Sequence, residues 1–81
     1  MVSKALNLRD AEALIILLEK AEAVGNHPSV VSRMKELEEA IVYLMSVNQH
    51  LAGNDLPNTI VASLQYRARL LRDRHRRQMG E

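Results

Sequence analysis

The chain has 81 residues, a formal net charge of +1, 47% apolar residues and only 2% aromatic residues. A chain of this length forms one domain, and the absence of cysteine excludes disulfides and thiolate metal sites. No signal peptide is evident, and the first apolar run, 13–18, is far shorter than the roughly 20 apolar residues that cross a bilayer. We therefore expect a soluble, cytoplasmic protein.

The first predicted helix spans residues 8–24 and follows an N-terminal extension at 1–7. Asn7 is a favourable N-cap residue, and the carboxylate of Asp10 lies near the positive end of the helix dipole. Ser3 is an alternative start. Gly25 is the residue type that commonly ends a helix, because it adopts the left-handed backbone conformation without a side-chain clash.

The second predicted helix spans residues 28–52. Pro28 suits the first helical turn, where its missing N–H group costs nothing, and Gly53 with Asn54 provides the stop. Apolar residues alternate spacings of four and three through this helix and form a heptad seam with one polar member. The seam comprises Val30, Met34, Leu37, Ile41, Leu44, Asn48 and Leu51.

The third predicted helix spans residues 57–79, with Asp55 or Asn58 as its cap. Short connectors place consecutive helices antiparallel, so the sequence predicts one all-α domain over 1–81, a small antiparallel three-helix bundle. One stripe of this helix should face the core. It comprises Ile60, Val61, Leu64, Ala68, Leu71 and His75.

Apolar side chains also occur on a second face of the first two helices. Such faces can mark interaction sites, although scattered surface apolar residues are normal, and an 81-residue core gives little stability on its own. We therefore expect a non-enzymatic adaptor-like or inhibitor-like module that binds another protein or itself, forming a homo-oligomer. The candidate partner-binding residues are Ile15, Ile16, Leu17, Ala40, Tyr43 and Val47.

The end of the third helix, 67–81, is rich in arginine and suggests an alternative function in nucleic-acid binding. Against this alternative stand the near-neutral total charge and the presence of Tyr66 as the only nearby aromatic side chain for stacking. Acidic residues of the first two helices are available to pair with these arginines, within or between chains. They are Glu19, Glu22, Glu36, Glu38 and Glu39. The candidate anion-binding residues are Arg67, Arg69, Arg72, Arg74, Arg76 and Arg77.

Catalytic signatures are missing from the sequence, so we expect no catalytic residue, no metal and no cofactor. No nucleophile motif or glycine-rich phosphate loop occurs. The three histidines lack metal-ligand spacing, and we expect each to be solvated or to cap a helix. They are His27, His50 and His75.

Two acidic stretches, 19–22 and 36–39, nevertheless resemble the acidic helix pairs of the MazG-type nucleotide pyrophosphohydrolases, and Asp55-Leu56 resembles the turn that follows. This resemblance implies Mg²⁺ held by carboxylates on antiparallel helices. The sequence departs from the family where Ser63 and Arg67 replace a nucleotide-binding Lys and Asn. Moreover, we expect the side chains of Glu36 and Glu39 to project away from the heptad seam, toward solvent. A Mg²⁺-dependent pyrophosphohydrolase therefore stays a remote alternative.

Overall fold

Four helices and no strand occur in the residues that the computed structural model describes, 6–51 and 59–78, without the side chains of 49–51 and 78. The helices are α1 (Leu8–Ala23), α2 (His27–Ser32), α3 (Met34–Leu51) and α4 (Thr59–Gln78). The prediction of an all-α fold is confirmed. The predicted count of three helices is wrong, because the segment predicted as one helix, 28–52, contains both α2 and α3.

Both ends of α1 follow the local rules of helix capping. The backbone N–H of Asp10 donates to Asn7 Oδ1 over 2.9 Å at the N-terminus. At the C-terminus the N–H of Asn26 donates to the Ala21 carbonyl over 2.8 Å, and the N–H of Gly25 donates to the Glu22 carbonyl over 3.0 Å. This pair of bonds is the Schellman motif, and Gly25 provides the left-handed residue that it needs, with φ of 82°.

The helix break between α2 and α3 lies at Arg33, whose φ and ψ are −111° and 15°. The Ser32 hydroxyl donates to the Ser29 carbonyl over 2.9 Å. That carbonyl is the acceptor that the Arg33 N–H would use in a continuous helix, and a hydroxyl bonded in this way competes with the helical ladder. The Arg33 N–H donates instead to Val30 over 3.1 Å, and the ladder restarts where the Leu37 N–H donates to Arg33 over 3.0 Å.

All four helices contribute buried apolar side chains to one core. The long helices α1, α3 and α4 contact one another, and α2 packs against all three. The apolar members of the described part of the heptad seam face this core, as does the predicted stripe of α4 with the exception of Ile60, which is 59% exposed. The buried apolar residues are Ala11, Leu14, Ile15, Leu18, Val30, Leu37, Ala40, Ile41, Leu44, Val61, Leu64, Ala68 and Leu71.

Several sequence predictions concern residues outside the described ranges. These are the stop at Gly53 and Asn54, the cap at Asp55 or Asn58, the N-terminal extension at 1–5 and the end of the arginine-rich segment at 79–81. Among the helices of the described residues, none combines the length and the apolar character needed to cross a membrane.

Candidate functional site

An open groove of about 730 Å³ lies between α1 and α3. Leu14 and Leu17 line it from α1, and Val42 and Tyr43 line it from α3. Leu14 belongs to the core, whereas Leu17 is 48% exposed and Val42 is 66% exposed. The groove therefore joins the edge of the core to two large apolar side chains that remain in contact with water.

Charged side chains surround this apolar centre. Asp10, Arg33, Glu36 and Glu39 also line the groove. Arg33 Nη2 lies 2.7 Å from Glu36 Oε2, and both side chains are partly exposed. The hydrogen bond from Arg33 lowers the pKa of Glu36 below its usual value, so Glu36 carries its charge over the whole neutral range.

The six predicted partner-binding residues occupy different environments. Leu17 and Tyr43 line the groove, and Tyr43 and Val47 pack partly buried against the core. Ile16 is also partly buried. The other two are corrections to the expected surface, because Ile15 and Ala40 are fully buried and have no area left for a partner.

Val42 is absent from the partner-binding residues predicted from the sequence, although it is more exposed than Leu17, the other large exposed apolar side chain in the groove. Of its neighbours one helical turn away, Met45 is apolar but Glu38, Glu39 and Ser46 are polar, so Val42 belongs to no continuous apolar stripe. Only the position of α1 beside α3 shows that Val42 shares a surface with Leu17.

Two arginines of α4 form ion pairs with the acidic face of α1. Arg67 Nε donates to Glu19 Oε2 over 2.9 Å, and Arg74 Nε donates to Glu22 Oε2 over 3.0 Å. Each pair has a second bond from Nη2 to the other carboxylate oxygen, so both are bidentate. The bonds from Arg74 lower the pKa of Glu22 below its usual value.

A third carboxylate, Glu38 on α3, accepts from two further arginines. Arg72 Nη1 lies 3.3 Å from Glu38 Oε1, and Arg76 Nη2 lies 2.6 Å from Glu38 Oε2. Arg69 and Arg77 are exposed, and neither forms an ion pair within the described residues. Most of the positive charge of α4 is therefore already matched by carboxylates of the same chain.

Of the five glutamates that resemble a Mg²⁺ site, all but Glu39 are engaged in the same way within the described residues. Glu19, Glu22 and Glu38 contact α4 arginines, and Glu36 contacts Arg33. Across 6–51 and 59–78, no three His, Cys, Asp or Glu side chains lie close enough together to hold a metal ion. A cation at these acids would have to displace guanidinium groups.

Two histidines meet where α2 begins and α4 nears its end. The rings of His27 and His75 contact edge to face with centroids 5.5 Å apart. The expectation of a solvated or capping histidine is wrong for His75, which is only 1% exposed. His75 Nε2 and His27 Nδ1 are both buried and find no hydrogen-bond partner among the described residues.

Comparisons with protein-family models, curated proteins and solved structures find no match to this chain. The groove, the arginine surface and the histidine pair are therefore the features that bear on function.

Proposed function

We propose that the protein is a non-enzymatic binding module that holds a helix of a partner protein in the groove between α1 and α3. The observation that carries this proposal is the exposure of Leu17 and Val42 on the two walls of one groove. Covering apolar surface contributes about 25 cal/mol per Å² removed from water, so both side chains favour an apolar occupant. An amphipathic helix laid into such a groove is a recurrent mode of protein recognition.

The dimensions of the groove suit one short helix. Its lining runs from Asp10 to Leu17 on α1 and from Glu36 to Tyr43 on α3. Each stretch covers about two turns, or roughly 10 Å, at a rise of 1.5 Å per residue. Leu6 and Arg33 extend the lining beyond these stretches. A partner helix of about three turns, with apolar residues spaced by three and four, would fill it.

The alternative function, nucleic-acid binding through α4, has weaker support from the geometry. To reach phosphates, four arginines would have to break their ion pairs with carboxylates. They are Arg67, Arg72, Arg74 and Arg76. Each such exchange replaces one charge-assisted hydrogen bond with another, so little is gained. The groove requires no such exchange.

Photocrosslinking tests the proposed function. A photoreactive amino acid at Leu17 or Val42 should capture the same partner protein, and one at Ile60 on α4 should not. Val42→Asp should abolish capture from position 17, because a carboxylate in the groove opposes an apolar occupant, while Ile60→Asp should leave it unchanged. All three positions are exposed, so folding should survive, which circular dichroism would verify.

The proposed function would be overturned if capture from the groove positions matched capture from position 60. It would also be overturned if Val42→Asp left capture from position 17 intact.

A further inference from the structure

We infer that the occupant of the groove is a helix of a different protein that carries Lys or Arg beside its apolar anchors, an inference that rests on the proposed function. Two carboxylates of α3, from Glu36 and Glu39, line the groove beside the guanidinium of Arg33, which pairs with Glu36. The charge that α3 leaves open to an occupant is therefore the negative charge of Glu39. Electrostatic complementarity of this kind selects partners and speeds their encounter.

Glu39 determines where along the groove a basic residue of the occupant should lie. It is exposed, lines the groove and forms no ion pair within the described residues. It precedes Val42 by three residues, so the two side chains are neighbours on one face of α3. A helix whose apolar anchor covers Val42 would thus bring a basic residue one turn away from that anchor within reach of Glu39.

The second acidic position, Glu36, lies a further turn along the same face. Its carboxylate already accepts from Arg33 Nη2 over 2.7 Å and from Arg33 Nε over 3.3 Å. The pair is a hydrogen-bonded unit with little net charge, so the α3 wall of the groove has one neutralised position beside one open acidic position. The occupant should therefore carry its basic residue near Glu39 rather than evenly along its length.

A second copy of this chain fits the groove less well. In a two-fold dimer the same patch meets itself, which brings the carboxylates of one rim toward those of the other. The arginine-rich α4 of another copy has exposed arginines, but its apolar stripe, with Leu64 and Leu71, is buried in its own core and offers no anchors to the groove. A distinct protein that carries basic residues beside exposed apolar anchors avoids both costs.

The test uses fluorescently labelled helical peptides of three turns and measures anisotropy with the full chain. One peptide carries leucines at spacings of three and four with lysine flanks. A second has glutamate flanks, and a third keeps the lysines but replaces the leucines by serine. We expect the lysine–leucine peptide to bind most tightly, and its affinity to fall with salt.

Variants of the protein sharpen the result. Glu39→Lys should weaken the lysine–leucine peptide on the order of fivefold or more, as expected for an exposed ion pair converted to repulsion. Glu12→Lys is the matched control, since Glu12 is an exposed α1 residue that does not line the groove. That control should change affinity much less.

The outcomes separate the inference from the proposed function. If the glutamate–leucine peptide binds as tightly as the lysine–leucine peptide, and Val42→Asp abolishes both, the groove holds helices without charge selection and only the inference fails. If no peptide binds, or Val42→Asp has no effect, the proposed function fails as well. A dimer in light scattering that Val42→Asp dissociates would identify a second copy as occupant and overturn the inference.

Discussion

At Gly25 the energetic cost of the left-handed backbone conformation can be measured separately from any cost of packing. Its φ is 82°, and a Cβ built on it would meet nothing within 4 Å. We predict that Gly25→Ala lowers the free energy of unfolding by about 1 kcal/mol, because an L-residue in the left-handed region costs roughly 1–2 kcal/mol and the stiffer unfolded chain recovers part of it. Gly25→Asn should lose less, since Asn tolerates this conformation. Urea unfolding measures both, and equal stability of the alanine variant and the wild type would contradict the argument.

Glu22 links stability to pH through its ion pair with Arg74. The folded-state pKa of Glu22 is lowered from its usual value near 4.5, first by the hydrogen bonds from Arg74. Its contribution is therefore complete above about pH 4.5 and is lost as pH falls through the folded pKa. We predict that Glu22→Gln lowers stability at neutral pH and flattens the decline on acidification. Unfolding followed at a series of pH values checks this, and a parallel shift of the whole curve would refute it.

His75 places a polar ring in an apolar position. Its buried Nε2 has no hydrogen-bond partner in the part of the chain that the structure describes, and such a group costs about 1–3 kcal/mol of desolvation. We predict that His75→Leu leaves the free energy of unfolding unchanged or raises it, whereas His75→Ala lowers it by opening a cavity. Thermal and urea unfolding compare the two. If leucine destabilised as much as alanine, the ring nitrogens would have a partner such as an ordered water.

At the scale of elements, the ends of α1 could be predicted because they depend on single residues. Asn7 and Gly25 act through bonds to backbone groups within four residues of themselves. The break at Arg33 could not be predicted, because the spacing Val30, Met34, Leu37 continues the apolar period without interruption. Whether the Ser32 hydroxyl donates to a backbone carbonyl depends on local geometry, and the spacing of apolar residues carries no information about it.

The accessible face of α1 illustrates a second limit of sequence patterns. Ile15 and Leu17 are two residues apart, which places them about 200° apart around a helix of 3.6 residues per turn. A helix that is apolar all round can bury both only if neighbours surround it. In this chain the helices packed against α1 cover Ile15 fully and leave Leu17 about half exposed. Which of the two side chains is buried depends on where those helices lie around α1.

The attachment of α4 to the core depends on its buried stripe. Leu71 is fully buried, while Ile60 on the same helix is 59% exposed. We predict that Leu71→Ala lowers the free energy of unfolding by about 2–5 kcal/mol, a large share of what so short a chain possesses. Ile60→Ala should cost well under about 1 kcal/mol, since it removes little buried area. Urea unfolding of both variants tests the contrast, and similar losses would show that α4 is not held by this stripe.

For the whole molecule, the paired arginines limit any affinity for nucleic acid. Only Arg69 and Arg77 of the α4 arginines lack a carboxylate partner among the described residues. Because each neutralised phosphate contributes about −0.9 to the slope of log affinity against log salt, we predict a slope near −2 for duplex DNA, not near −5. Anisotropy with labelled DNA at several salt concentrations measures it. Arg69→Ala with Arg77→Ala should remove the binding, and a slope near −5 would show that the ion pairs open.

The tyrosine distribution gives the molecule an optical signal of its own. The chain has two tyrosines and no tryptophan or phenylalanine. Tyr43 lines the groove, and Tyr66 is exposed on α4. Their emission therefore comes from two separate surfaces, and a Tyr66→Leu variant would leave a single fluorophore in the groove. Occupancy of the groove by a partner free of tyrosine and tryptophan then becomes visible in unlabelled protein, without any change to the groove itself.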